Sequence, residues 1–142
     1  MISHTNYSVI NEKSKVVGKF NIKNKLSYND LLKSCDIGLS TVIARKILLQ
    51  DNKFNKLKTK EDYLLWLKIV KKIKYIYGIN QNLSSWRKNE NSLSSSVIQK
   101  FLDTYRLYRL YLNNNFILSI LFSFRLVFYA IRKKFLIFWS NS

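Results

Sequence analysis

The sequence predicts an α/β fold, with short strands between helices and amphipathic helices at the C-terminal end. From residue 61 onward, apolar residues recur at the spacing of one helical face: Tyr63, Trp66, Leu67, Val70 and Ile73. The next stretch, IKYIYGI, is dense in the β-branched and aromatic residues that favour strands. A helix followed directly by a strand is therefore predicted here.

The elements before this helix are shorter. Apolar residues on both sides of the polar stretch 11–15 predict two short strands joined by a turn. Ser27 and Asp30 have the spacing of a capping box and predict a short helix that Gly38 can end. The β-branched stretch STVIA, residues 40–44, predicts an extended start before ARKILL becomes helical.

After IKYIYGI, the stretch LSSWRK predicts a second extended piece and NENSLSSS predicts a polar loop. The last serines of that loop can cap a helix over residues 97–112. The length of 142 residues suits one domain. Within it we distinguish residues 1–95, with strands and helices, from residues 96–142, a helical tail.

The tail segment FILSILFSFRLVFYAIRKKFLIFW is strongly apolar, but Arg125 and the basic cluster at residues 132–134 interrupt it. Its longest uncharged run is shorter than the ~20 residues that a membrane-spanning helix needs. Two interpretations stay open. The segment is either a helix in the membrane interface, with its cations facing acidic lipid, or a helix packed on the domain's own core.

The net charge of +17 favours anionic partners, such as acidic lipid head groups or the phosphates of a sugar nucleotide. Nucleic acid is not predicted as a partner, because the chain has no Arg-rich tract and no known RNA-binding motif. The N-terminus lacks the pattern of a signal peptide.

The single cysteine, Cys35, excludes an intrachain disulfide and fits a reducing compartment. We interpret it as a small buried residue rather than a nucleophile, because nothing in the sequence brings it to the single histidine, His4. No metal site is predicted, since one Cys and one His form no cluster without carboxylates.

The stretch TKEDYLLWL places two adjacent acids, Glu61 and Asp62, just before the apolar helix. One interpretation is mechanical: Thr59 caps the helix and Asp62, three residues on, completes a capping box, while both acids complement the helix dipole. The other is chemical: Asp62 is a general base held at a helix N-terminus. The local pattern alone favours the cap.

Several segments, in this order, resemble the second half of the bacterial family-two glycosyltransferases of the GT-A fold, in the branch that builds surface polysaccharides. They are SHTNYSVI, KLSYNDLLKSCDIGLSTVIARK, EDYLLWLKIVKK, LSSWRKNENSLSS, YRLYR and FYAIRKK, and they cover nearly the whole chain. The resemblance implies that Asp62 is the general base. It would take a proton from an acceptor hydroxyl as that oxygen attacks the anomeric carbon of a nucleotide sugar with inversion.

The resemblance also implies substrate-binding roles. Glu61 would shape the acceptor site. Arg87 matches the arginine of a Tyr-Arg pair before a Ser-x-Ser loop, where it would contact a phosphate or brace the loop, although Trp86 replaces the usual tyrosine. Ser40 and Thr41 match a small polar pair bordering the acceptor pocket, but on the sequence alone they are hydrogen bonders at the start of a strand. Trp66, first of all a core residue, is also counted among the candidates.

The family's nucleotide-binding sheet and its D-x-D motif, which holds a divalent metal (Mg or Mn) on the diphosphate, have no counterpart in this sequence. We therefore expect a partial GT-A fold, without a cofactor of its own and with little activity alone, as in a truncated or split protein. Its partners would be a nucleotide sugar, a glycan acceptor and the inner face of the cell membrane, on the cytoplasmic side. The alternative is a non-enzymatic, basic, amphipathic protein that binds a membrane or another subunit.

Overall fold

The computed structural model describes residues 1–89 and 96–139, and its architecture is α/β, as predicted. Five strands form one sheet: β1 (Ile2–Ile10), β2 (Val16–Phe20), β3 (Lys25–Ser27), β4 (Ile43–Ala44) and β5 (Tyr75–Arg87). The helices are α1 (Tyr28–Lys33), α2 (Ile47–Gln50), α3 (Glu61–Ile73), α4 (Val97–Arg106) and α5 (Phe116–Trp139). A 3-10 turn spans Leu39–Thr41, and a π-helical turn spans Leu107–Tyr111.

The sheet has the order β2-β1-β5-β3, and the short β4 pairs with the start of β1. β1 and β5 are parallel, while β2, β3 and β4 pair with their neighbours in the antiparallel sense. Parallel neighbours require a crossover connection, and α3 ends one residue before β5 begins. Because α3 leads straight into β5 and runs back along it, the first turn of α3 lies toward the carboxyl ends of β1 and β5.

The predicted strand pair at the N-terminus is confirmed as the β1–β2 hairpin. The two extended pieces predicted after α3 are one continuous strand, β5. Its register against β1 shifts twice between Thr5 and Tyr7, so the polar residues 80–82 are absorbed as a bulge rather than a break.

The core lies between α3, the sheet and the C-terminal helices. The predicted helical stripe is confirmed, and burial extends beyond it to Leu64, Leu65 and Ile69, so α3 is enclosed on nearly all sides. Hydrogen bonds close this core: the Tyr63 hydroxyl donates to the Leu31 carbonyl at 2.7 Å and lies 3.1 Å from the Tyr108 hydroxyl.

The capping box of Ser27 and Asp30 is confirmed. The prediction that Gly38 ends this helix is wrong: α1 ends at Lys33, and the extended Ser34 donates its amide to the Asp30 carbonyl. Gly38 instead precedes the 3-10 turn with φ of −82°, outside the left-handed region. ARKILL forms only the four-residue helix α2.

The capping box predicted for Thr59 and Asp62 is wrong. Both the amide and the hydroxyl of Thr59 donate to a carboxylate oxygen of Asp103, at 2.9 Å each. Asp103 belongs to α4 and is fully buried, so it takes the hydrogen bonds that Thr59 would make as a cap. The residue before α3 is Lys60, which has a left-handed backbone with φ of 70° and no side-chain cap bond.

The helix predicted over residues 97–112 begins as expected at Val97, after the cap Ser96, but it passes into the π-helical turn at Leu107. The predicted polar loop falls mainly on residues 90–95, outside the described residues. Of the helices described, none combines the length and apolarity needed to cross a membrane.

α5 has two faces. Ser119, Ser123 and Leu126 are buried against the domain, while a second row of side chains is exposed: Ile117, Leu121, Phe124, Phe128, Ile131 and Phe135. The core-packed interpretation of this segment holds for the first face only. The second face is apolar and uncovered in the described chain.

Candidate active site

The first turn of α3 holds Asp62, and α3 runs back along β5 in the direction of the carboxyl end of that strand. In open α/β sheets, ligands bind outside the carboxyl ends of the strands. The carboxylate is half-buried, and one of its oxygens accepts the Tyr63 amide at 2.7 Å. Burial raises the pKa of Asp62, and the adjacent Glu61 charge adds to this, while the Tyr63 amide and Lys60 oppose it. A raised pKa makes the carboxylate a better proton acceptor.

Cys35 lies beside Asp62, in the segment 34–38 between α1 and the 3-10 turn. Burial and the Asp62 charge raise the pKa of its thiol to about 11. The thiol is therefore protonated at neutral pH, which supports the interpretation of Cys35 as a structural residue rather than a nucleophile.

Lys133 of α5 reaches into the same segment. Its ammonium group donates to the Cys35 carbonyl at 3.2 Å, pairs with Asp36 at 3.4 Å and lies 3.8 Å from the centre of the Phe20 ring. Burial lowers the pKa of Lys133, and the Asp36 charge counteracts this. The tail helix thus contributes directly to the surroundings of segment 34–38.

His4, in the central strand β1, is fully buried under this cluster. Burial lowers its pKa to about 4; the Asp36 charge opposes the fall and the Lys133 charge adds to it. Neither ring nitrogen has a hydrogen-bond partner among the described residues. The imidazole is therefore neutral at pH 7.

A cleft of about 680 Å³ opens on the Asp36 side of this segment, between β2, α1 and α5. Ser34, Asp36 and Lys133 line it, but Asp62 does not. Asp62 is therefore not part of the cleft, and the sequence does not predict the cleft.

The other predicted site residues are not all gathered around Asp62. Glu61 is adjacent to it by position. Trp66 is 2% exposed and belongs to the core, where its indole nitrogen has no partner among the described residues. Arg87 is exposed and donates to the carbonyls of Asn11 and Glu12, at 2.8 and 2.9 Å. It braces the β1–β2 turn, so the described contacts do not link it to Asp62.

Ser40 and Thr41 lie in the 3-10 turn rather than at the start of a strand. Ser40 is exposed, whereas Thr41 is buried and its hydroxyl donates to the Gly38 carbonyl at 2.7 Å. An ideal Cβ placed on Gly38 would lie 3.7 Å from the Tyr7 ring, so this turn rests against β1 close to segment 34–38.

Sequence reasoning missed Lys133, Asp36 and His4 as neighbours of this site. The sequence predicts Lys133 only as a cation facing lipid, and its pairing with Asp36 spans 97 positions, which no local pattern reveals.

The acidic side chains of the described residues are not gathered into a metal-binding cluster. No group of three His, Cys, Asp or Glu side chains comes together in the described ranges. Asp30 is held in the α1 capping box and Asp103 by Thr59. We therefore derive no step through a metal from this chain.

Comparison with known proteins identifies the class: the chain is homologous to part of bacterial glycosyltransferases of surface-polysaccharide synthesis, as the resemblance implied. It is 43% identical over 97 residues to the Escherichia coli UDP-Glc:alpha-D-GlcNAc-diphosphoundecaprenol beta-1,3-glucosyltransferase WfgD, covering 67% of this chain and 37% of that enzyme. It is 31% identical over 108 residues to the putative teichuronic acid biosynthesis glycosyltransferase TuaG of Bacillus subtilis, covering 75% of this chain and 43% of that protein. The alignments thus span less than half the length of each relative. No family model and no solved structure matches.

Proposed function

We propose that the chain forms the acceptor side of an inverting glycosyltransferase of family two, with a partial GT-A fold. The observation that carries this proposal is the 43% identity over 97 residues to a glucosyltransferase. The position of Asp62 supports it: a half-buried carboxylate with a raised pKa on the first turn of the helix that leads into β5.

In the proposed reaction, Asp62 is the general base. One carboxylate oxygen takes the proton of an acceptor hydroxyl as the hydroxyl oxygen forms a bond to the anomeric carbon. The bond from that carbon to the diphosphate of the donor breaks, and the nucleoside diphosphate leaves. The second oxygen is held by the Tyr63 amide, which fixes the carboxylate on a buried helix.

The substrates follow from the relatives. WfgD is named for UDP-Glc as donor and for a diphosphoundecaprenol-linked acceptor. We propose a nucleotide-sugar donor and a glycan acceptor for this chain too. In this proposal the donor, and a divalent metal on its diphosphate, are bound by a part that corresponds to the remainder of the relatives.

We further propose that the protein works at the cytoplasmic face of the cell membrane. The exposed row on α5 includes Phe124, Phe128 and Phe135, each at least 60% exposed, in a chain of net charge +17. An apolar helical face beside cations suits the interface of an anionic bilayer. Vesicle flotation tests this: Phe128→Ser should weaken binding, whereas Leu110→Ser, equally exposed on the π-helical turn, should not.

The catalytic proposal is tested in a chimera. The segment of WfgD that aligns with this chain is replaced by the chain's own residues, and transfer of glucose from UDP-Glc to the lipid-linked acceptor is measured. Asp62→Asn keeps an oxygen for the Tyr63 amide but cannot take a proton, so kcat should fall about a hundredfold or more. Asp51→Asn, an exposed acid in the same chain, is the matched control and should leave the rate unchanged.

Two results would contradict the proposal. The first is an active chimera in which Asp62→Asn transfers glucose at the unsubstituted rate. The second is a folded chimera that binds UDP-Glc but transfers nothing, because the grafted acceptor side would then lack the proposed activity.

A further inference from the structure

The open cleft between β2, α1 and α5 is lined by several cations. Five basic side chains line it: Lys19, Lys23, Lys33, Arg132 and Lys133. They come from separate parts of the chain, so the fold brings together charges that are far apart in sequence. The volume of about 680 Å³ is within the range of small-molecule sites.

Two acids also line the cleft, and both are already engaged. Asp30 accepts the Ser27 amide and hydroxyl in the α1 capping box and pairs with Lys23 at 3.4 Å. Asp36 accepts the Ser34 hydroxyl at 2.6 Å and pairs with Lys133. Each acid thus neutralises one of the five cations.

Three cations, Lys19, Lys33 and Arg132, have no carboxylate partner in the part of the chain that the structure describes. Like charges around one concave surface repel each other, and low-dielectric walls strengthen their field inside the cleft. Phe20 and Tyr129 supply such walls. A bound anion would relieve this repulsion and would gain charge-assisted hydrogen bonds from Lys and Arg.

We propose that this cleft binds a phosphate or diphosphate group, with Lys33 and Arg132 as its principal contacts. Arg132 offers the planar fork that matches phosphate oxygens, and Lys33 stands across the cleft on α1 as a point charge.

The position of the cleft indicates which molecule carries the phosphate. On α5, Tyr129 and Arg132 directly follow Phe128 and Ile131 of the exposed apolar row, so the cleft opens beside that row. A phosphate at the end of a lipid chain, at the surface of a bilayer that holds the apolar row, would be within reach. This step rests on the proposed function, because it makes the bound group the phosphate of a lipid-linked acceptor. The anion site itself rests on the charges alone.

The first experiment measures binding of inorganic diphosphate to the full chain by calorimetric titration at low ionic strength. Replacing both principal contacts, Lys33→Gln with Arg132→Gln, should weaken binding about a hundredfold, since each removed charge-assisted bond contributes about a factor of ten or more. The control Lys68→Gln with Lys71→Gln removes the same net charge from the exposed side of α3 and should leave the affinity unchanged. An equal loss in both double variants, or no binding by the unsubstituted chain, would overturn the proposal.

The second experiment separates lipid-borne from free phosphate. Phosphatidylcholine vesicles that contain a polyprenyl diphosphate linked to a sugar present a diphosphate esterified at both ends, whereas vesicles with phosphatidylglycerol at equal total charge present only a single phosphodiester. Stronger binding to the lipid-diphosphate vesicles, weakened by the cleft variant and by free diphosphate, would assign the site to a lipid-borne diphosphate. Equal binding to both, with diphosphate affinity intact, would overturn the lipid assignment.

The outcomes also separate this proposal from the proposed function. Diphosphate binding is measured without turnover. An active chimera that does not bind diphosphate would refute the proposed anion site and leave the proposed transferase function standing. A chimera that binds diphosphate tightly but transfers no glucose would refute the transferase function and leave the anion site standing.

Discussion

Lowering the pH should destabilise the protein, and one identifiable contribution comes from His4. It is the chain's one histidine, it is fully buried, and burial lowers its pKa to about 4 in the folded state. In the unfolded chain it titrates near 6.5. Between these values the unfolded state binds the extra proton, so this contribution to stability is complete above pH 6.5 and is lost as the pH falls toward 4. At about 1.4 kcal/mol for each pH unit, the loss is about 3 kcal/mol.

The matched variant is His4→Leu, which is similar in size and cannot titrate. Because no described residue bonds either ring nitrogen, the substitution should cost little at neutral pH. Urea unfolding of both proteins, followed from above pH 6.5 to about 4, should show the free energy of unfolding of the wild type falling faster by about 3 kcal/mol. Carboxylates titrate in both proteins and cancel in the difference. Parallel curves, or a variant strongly destabilised at neutral pH, would refute this reasoning.

Two further variants test packing and long-range hydrogen bonding. Gly78→Ala should destabilise the fold by about 1–3 kcal/mol in urea unfolding, because the added Cβ would collide with the Lys23 carbonyl. Gly38→Ala is the control and should leave stability unchanged, because the closest contact of its Cβ is an ordinary 3.5 Å. Equal destabilisation by the two variants would contradict the close packing of β5 against Lys23. Asp103→Ala should cost about 3 kcal/mol, because it leaves the amide and hydroxyl of buried Thr59 unpaired, and this would move the urea midpoint by about 1.5 M. Asp51→Ala, at an exposed acid, should not move it, and a shift as large as that of Asp103→Ala would exclude a specific role for the buried carboxylate.

Local patterns in the sequence were enough to predict much of the fold. The helical stripe of α3, the β1–β2 pair and the Ser27–Asp30 capping box all depend on residues within a few positions of one another. In each case propensity and packing agree, so the local signal survives in the folded chain. The same reasoning placed Asp62 on the first turn of α3.

Contacts between distant residues were not predictable in this way. Thr59 meets Asp103, 44 positions away, and Asp36 meets Lys133, 97 positions away. Both pairs decide the surroundings of the site: the first removes a predicted cap, and the second brings the tail helix against segment 34–38. Arg87 likewise turns to the β1–β2 turn, more than 70 positions away in sequence. A single sequence carries no periodic signal for such pairings.

The Thr59–Asp103 contact also bears on the two interpretations of Asp62. A capping box would have occupied the carboxylate with backbone amides at the helix start. Asp103 takes both donors of Thr59, and Lys60 enters α3 through a left-handed conformation that costs about 1 kcal/mol. The Asp62 carboxylate accepts the neighbouring Tyr63 amide and makes no hydrogen bond to Thr59 in the described chain. A stabilising contact far along the chain thus removes the cap that the sequence predicts, and the general-base role of Asp62 stays a proposal compatible with this helix start.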